Sequence, residues 1–417
     1  MKVLGIIAEY NPFHNGHVWH IDRSKVLSGA THTLILMSGS VVQRGSFAVQ
    51  NKWQRAEHAI EGGADLVCEL PAICSGQRAD IFALGAITIL SATQTVDYLS
   101  FGSEAGRIDS LNPIAELLLK EPPAFRWKLS QYLKAGESFA HSRTLALSDL
   151  LGAEAATISE QPNNILALEY LKALSKINSS ITPITFMRKG ASHHEHNPVN
   201  NTVSASWIRH CLLNSDQPLT DCAPFIPYDC HEFETNQYPL LVTNYEKFII
   251  ARLATTDLSE IRRLPDVGEG LEFALKKSLE KATSLEEILQ TVSSKRIPKS
   301  RIRRILMNLA LNRHQNELIQ LLEETKPYLR VLAFNRQGQE LLAHIRDHSD
   351  IPILTNLRTN QTRLDRIQRC SLNLDIQANN FRSIMANQKC YNEDYRRNPV
   401  RTESINSKRK EDINDEF

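Results

Sequence analysis

His14-Asn15-Gly16-His17 sets two imidazoles three residues apart with a glycine between them. Glycine lets the backbone approach a ligand closely. The run precedes a helical pattern. There, free N–H groups and the helix dipole favour an anion. The two rings can then donate hydrogen bonds to a phosphate as charge builds on it. A second element is Ser204-Ala205-Ser206-Trp207-Ile208-Arg209. Ser206 there reads as the cap of a helix starting at Trp207, with Arg209 one turn inside. Other signals are weaker. His193-His194-Glu195-His196 lacks H-E-x-x-H spacing and reads as a loop beside the nucleotide, so no metal site is assigned. Gly268-Glu269-Gly270 lacks the Gly-Lys-Ser/Thr ending of a P-loop. Glu104 is either an acid near the site or a helix-capping acid.

The elements that must position these residues alternate. Strands are expected at 3–10, 33–37, 65–70, 97–101 and 182–187, and helices at 17–27, 51–62 and 77–92. Residues 111–178 read as mainly helical. This alternation means parallel βαβ units, with ligands bound beyond the carboxyl ends of the strands. The loops starting at Asn11, Ser38, Pro71 and Gly102 then face one site. Prolines 218, 224, 227 and 239 mark a boundary. Beyond it, 243–324 reads as helical, with short strands at 330–334 and 351–354 around a helix at 338–347. The expected architecture is α/β: a doubly wound parallel-sheet domain over 1–215, then a mainly helical domain over 216–390. Residues 391–417 lack a core pattern and are expected to be a disordered charged tail.

Composition narrows the class. Hydrophobic residues make up 42% and charged residues 23% of 417, an ordinary globular balance. No apolar run is long enough for a membrane span, and the first residues lack the form of a signal peptide, so a cytoplasmic location is expected. Seven cysteines without a C-x-x-C pair argue against a disulfide framework or zinc ribbon. The net charge of +1 hides a split. Residues 1–250 hold 19 Lys+Arg and 24 Asp+Glu, a net of −5; residues 251–417 hold 29 and 23, a net of +6. Lys295, Arg296, Lys299, Arg301, Arg303 and Arg304 are six cations in ten residues with no acid. Such a stretch can track a phosphate backbone, and Lys295, Arg296, Arg301, Arg303 and Arg304 are its candidate contacts to a polyanion. Arg358, Arg363, Arg366 and Arg369 are candidates to extend it.

The HxGH run and the Ser204–Arg209 element together resemble the HxGH nucleotidyltransferase superfamily. The match sharpens along the first 210 residues. Glu9-Tyr10-Asn11-Pro12-Phe13-His14-Asn15-Gly16-His17, Met37-Ser38-Gly39 with Val42-Gln43-Arg44-Gly45, Gly63-Ala64-Asp65-Leu66-Val67 with Glu69-Leu70-Pro71, Phe101-Gly102-Ser103-Glu104, Gln161-Pro162-Asn163-Asn164-Ile165-Leu166 and Arg188-Lys189-Gly190 occur in order. They resemble the bacterial tRNA(Met) cytidine acetate ligase family. The resemblance implies two steps. Acetate attacks the α-phosphorus of ATP, giving acetyl-adenylate and diphosphate. The N4 of cytidine 34, the wobble base of elongator tRNA(Met), then takes the acetyl group and releases AMP.

On this reading His14 and His17 are catalytic. The run Ile7-Ala8-Glu9-Tyr10-Asn11-Pro12-Phe13-His14-Asn15-Gly16-His17-Val18-Trp19-His20 wraps ATP. Gly102 and one or both of Asn163 and Asn164 lie near adenine or ribose. Arg188, Ser206 and Arg209 complete the nucleotide site. Mg²⁺ is expected to be held by phosphates and water, since no carboxylate cage is visible. The expected partners are ATP, acetate and elongator tRNA(Met), with no membrane and no stable protein partner implied. Two rival readings remain: a small-molecule adenylyltransferase of the same superfamily, and a non-catalytic tRNA-binding protein on this fold.

Overall fold

Ten strands order the described residues: β1 (Val3–Ala8), β2 (His32–Ser38), β3 (Val41–Val42), β4 (Ser46–Phe47), β5 (Leu66–Leu70), β6 (Tyr98–Ser103), β7 (Thr182–Met187), β8 (Leu329–Phe334), β9 (Ile353–Leu354) and β10 (Val400–Arg401). The structure, a computed structural model, describes residues 1–188, 203–233, 237–389 and 391–402. Five strands of the first half form a parallel core in the order β5-β2-β1-β6-β7. Such strands are buried on both faces, which is why they read as continuous apolar runs rather than alternating ones. The chain steps outward from β1 through β2 to β5, then returns to β6 on the other side of β1. The crevice beyond the carboxyl ends of β1 and β6 is therefore the switch point where ligands bind in such sheets.

The sheet does not end with the first half of the chain. β8 pairs antiparallel with β5, Leu66 lying opposite Phe334, and β9 and β10 both run parallel to β8. The residues read as a separate helical unit thus contribute two strands to the nucleotide-side sheet, and the stretch read as a tail contributes a third. The stretch after 391, expected to be disordered, is ordered through Thr402. Asp394 is 1% exposed and accepts from Lys52 Nζ at 2.7 Å and Asn379 Nδ2 at 3.1 Å. Lys52, itself fully buried, also reaches Glu69 at 2.7 and 2.9 Å. An isolated buried ammonium is untenable, so two carboxylates from distant segments hold it. A polar tail sequence conceals this anchor because its partner lies more than 300 residues away.

Helices over 237–310 enclose a second core of Leu241, Ile249, Leu253, Leu275, Ile288, Ile302 and Leu306. This core also takes in Val41 and Phe47 of the small β3–β4 ribbon. At the ribbon's turn Gly45 has φ +76°, and a Cβ there would lie 2.5 Å from the Arg304 nitrogen. Only glycine allows this seat on helix Lys299–Ala310. The long helix Arg366–Met385 braces the other side: Arg382 donates to the carbonyls of Ala48 at 2.9 Å and Val49 at 2.5 Å. Among the described residues, no helix is long and apolar enough to cross a membrane.

Candidate active site

Helix Asn15–Ser28 begins at the crevice with His14 as its cap, in extended backbone. His14 Nδ1 accepts from Gly16 N–H at 3.1 Å, and His17 Nδ1 accepts from His14 N–H at 3.2 Å. The two rings lie against each other with centroids 3.8 Å apart, their planes tilted by 30°. A Cβ on Gly16 would sit 2.9 Å from His14 Cε1, so glycine leaves room for the ring to fold over the first turn. The sequence suggested free N–H groups here. Instead the cap engages those of Gly16 and His17, the latter bonded to the His14 carbonyl at 2.8 Å. The anion-seeking groups are thereby moved from backbone to imidazole. A nitrogen that accepts from a backbone N–H carries no proton, so each neutral ring has its proton on Nε2. Burial lowers the His14 pKa to about 3, aided by the field of Arg188 and Arg209. Burial, then His14, Arg188 and His20, push that of His17 well below its usual value. Both rings are neutral Nε2–H donors at physiological pH.

The loop before the helix is fixed from four sides. Asn11 Oδ1 accepts from Val49 N–H at 2.8 Å, and Asn11 O accepts from Arg209 Nη1 at 2.6 Å. Tyr228 donates to Phe13 O at 3.2 Å, and Asn15 Nδ2 donates to Pro224 O at 3.1 Å. The side chains of Tyr10, Asn11 and Phe13 are buried. Within the 7–20 run they support the histidines rather than face a ligand: the Tyr10 ring meets His17 edge-on with centroids 4.7 Å apart. Ile7, Ala8 and Glu9 end β1 half-buried, and Pro12 is buried beside Phe13. Asn15, Gly16, Val18, Trp19 and His20 occupy the first two helical turns, half-buried. Trp19 and His20 meet Phe186 edge-on, at 5.2 and 5.1 Å. Arg55 carries no sign in the sequence, yet it is buried and donates to the carbonyls of Glu9, Ser38 and Gly39, tying the ends of β1 and β2 together. A basic residue in a helix carries no local mark of such a role.

Across the crevice, Glu104 is a helix-capping acid. Its carboxylate accepts from Asn163 N and Asn164 N at the start of helix Pro162–Lys176, at 3.1 and 2.8 Å, and from Asn163 Nδ2 at 2.6 Å. Asn164 is fully buried. Its Oδ1 accepts from Glu104 N and Ala105 N, and its Nδ2 donates to Ile158 O and Gln161 Oε1. With both ends of its side chain committed, Asn164 leaves Asn163 as the side chain of the pair that faces the crevice. Asn163 is half-buried and accepts from Arg188 Nη1 at 2.5 Å. A Cβ on Gly102 would lie 2.7 Å from Arg188 Cγ, so glycine there lets the exposed Arg188 lie over the end of β6. His14, His17, Gly102, Asn163 and Arg188 thus come together. Lys189, Gly190 and the 193–196 histidines fall outside the described residues.

The Ser204–Arg209 element differs in detail. Ser204, not Ser206, is the cap: it accepts from Trp207 N at 3.1 Å, and the helix is Ala205–Asn214. Ser206 sits in its first turn, 2.8 Å from Ser204 Oγ. The basic segment needs a larger correction. Arg304 is 8% exposed and faces Asp266, with Nε 3.5 Å from its carboxylate. Arg301 Nε donates to Asp266 O at 3.0 Å. These two hold the helical region together. Lys295, Arg296 and Arg303 remain at the surface, Arg303 beside Glu286 at 3.4 Å. Alternation of cations along a helix shows their spacing but not which acid a distant loop supplies.

A surface groove of about 1030 Å³ lies elsewhere, lined by Arg336, Arg346, Arg363 and Arg401 among others. Because β8 is antiparallel to β5, Arg336 follows its strand at the opposite end of the sheet from the histidines. The crevice, with its converging donors, is the candidate site.

A parallel sheet with paired histidines at its first strand-to-helix turn defines a class, and a profile of the HIGH nucleotidyl transferase family matches residues 1–398. Relatives give the narrower group. The tRNA(Met) cytidine acetate ligase of Thermoanaerobacter sp. (strain X514) is 40% identical over 363 residues, covering 86% of this chain and 89% of the relative. That of Clostridium botulinum (strain Langeland) is 37% identical over 410 residues, 96% and 98% of the two chains. The crystal structure of Thermotoga maritima TmcAL bound with alpha-thio ATP has a TM-score of 0.87 at 30% identity, covering 97% of this chain and 100% of that one. The chain belongs to the tRNA(Met) cytidine acetate ligase family.

Proposed function

We propose that this chain is an ATP-dependent ligase that joins acetate to N4 of cytidine 34 in elongator tRNA(Met). Acetate oxygen attacks the α-phosphorus, the bond to the β-phosphate oxygen breaks, and diphosphate leaves. The cytidine N4 then attacks the acetyl carbon, loses a proton, and AMP leaves with the acyl oxygen. The observation that carries the reading is the pair of adjoining, neutral Nε2–H imidazoles at the switch point. Neutral donors strengthen their hydrogen bonds as charge grows on the departing phosphate without holding the ground state too tightly.

Arg188, over Gly102 and bonded to Asn163, and Arg209, on the Asn11 carbonyl, are the cations nearest that chemistry. The first supports the α-phosphate and ribose side, the second the outgoing diphosphate. Glu9 and Glu104 are already engaged, by Gln43 N–H and by the Asn163–Asn164 turn. Glu104 is closed to a cation and Glu9 keeps one oxygen free, so among the described residues no carboxylate cage surrounds the triphosphate, and Mg²⁺ is read as held mainly by phosphate oxygens and water. Mg²⁺ there would neutralise charge on the triphosphate. The helical region is the part assigned to the tRNA.

Acetate-dependent exchange of labelled diphosphate into ATP tests the first half-reaction. Exchange with acetate and none without it is the expected result. Exchange driven equally by a phosphorylated small-molecule acceptor would favour the adenylyltransferase reading instead.

A further inference from the structure

Three segments far apart in sequence bring arginines to the outer rim of the crevice. Arg209 stands on the Asn11 carbonyl, three residues before His14. Gly45, which cannot carry a Cβ against the Arg303–Arg304 backbone, fixes Arg44 beside helix Lys299–Ala310. Arg303 points outward from that helix, 38% of its side chain exposed. Arg209 lies in the field of both Arg44 and Arg303. Arg44 is exposed and makes no ion pair among the described residues.

Two carboxylates answer this group. Glu9 has one oxygen held by Gln43 N–H at 2.7 Å, and Glu286 is shared between Arg303 and Lys299. Four cations, Arg44, Arg209, Arg303 and Lys299, therefore face two acids. Like charges held together by backbone packing repel unless an anion joins them. Lys295 and Arg296 continue the positive surface outward from the same helix. A strand that delivers a base to His14 and His17 must pass its backbone over this rim.

We propose that Arg44 and Arg303, beside the Arg209 that serves the diphosphate, form a seat for an RNA backbone phosphate adjoining the target cytidine. The proposal rests on the tRNA reading above and locates its contact nearest the chemistry. Arg44 lies in a glycine turn before a two-residue strand, where sequence gives no basic cluster to notice. The contact positions the strand and reads no base.

The test is tRNA affinity at several salt concentrations for wild type, Arg44→Ala, Arg303→Ala and Arg44→Lys, with ATP affinity measured in parallel. Each alanine variant should flatten the log–log salt slope by roughly one unit. Arg44→Lys should keep most of the slope, because charge rather than a fork carries the contact. ATP affinity should stay within about twofold. Thermal melting checks that each variant is folded. Wild-type slopes in both alanine variants would overturn the proposal. So would a loss of ATP affinity with the slope intact, since the cluster would then hold the triphosphate instead. Wild type that binds no tRNA at all would instead refute the tRNA reading on which the seat depends.

Discussion

The capping arrangement gives two predictions at the scale of single residues. Removing either Nε2–H donor costs a contact that is strongest in the transition state. His14→Ala and His17→Ala should each slow adenylation by about two to three orders of magnitude, while ATP binding falls much less. Diphosphate release in rapid-quench experiments measures this, and near wild-type rates would remove the role assigned to the rings. The second prediction concerns pH. In the unfolded chain these imidazoles titrate near 6.5. Folding lowers His14 to about 3 and His17 well below its usual value. Below pH 6.5 the unfolded chain binds protons that the folded chain refuses, so stability falls as pH drops from about 6.5 towards about 3. A His14→Gln/His17→Gln chain should lose less stability between pH 7 and 5 than wild type, by urea unfolding. Equal losses would mean that the rings titrate normally in the folded state.

Among elements, the basic helix Lys299–Ala310 changes meaning most between sequence and structure. Arg304→Ala leaves Asp266 without its nearest guanidinium. It should destabilise the protein by roughly 1–3 kcal/mol and leave the tRNA salt slope unchanged, a pairing of results that unfolding and salt titration together can check. The segment after 391 makes the opposite point. Asp394→Ala would leave Lys52 with Glu69 alone and strip Arg330 of a partner 3.8 Å away. Breaking a buried ionic cluster costs about 3–5 kcal/mol. A midpoint in urea that hardly moves would show the segment to be dispensable. Most strands and helices near the site were legible because short apolar runs and glycine breaks are local signals: 182–187 was read as the strand that forms there. The pairing of β8 with β5 was not legible, because an apolar run does not name its neighbour. The division of labour between Asn163 and Asn164 was equally hidden, since it depends on which of two adjacent amides meets the end of β6.

For the whole molecule, the charge split between the two halves turns out to be a division of surfaces rather than of independent bodies. The acidic half supplies the crevice together with Arg44 and Arg209 of its rim, the basic half adds Lys299 and Arg303 to that rim, and the pairing of β8 with β5 joins the two in a single sheet. A substrate that is both a nucleotide pocket's guest and a large polyanion requires both. The central claim is that this junction acetylates tRNA from free acetate and ATP. It is tested most directly by incubating elongator tRNA(Met) with ATP and isotopically labelled acetate, without acetyl-coenzyme A, and analysing the nucleosides by mass spectrometry. The account predicts labelled N4-acetylcytidine at position 34, with one AMP formed per acetyl group transferred, and its loss in the His17→Ala chain. Label that appears in the tRNA only when acetyl-coenzyme A is supplied, or cytidine that stays unmodified while ATP is consumed, would contradict it.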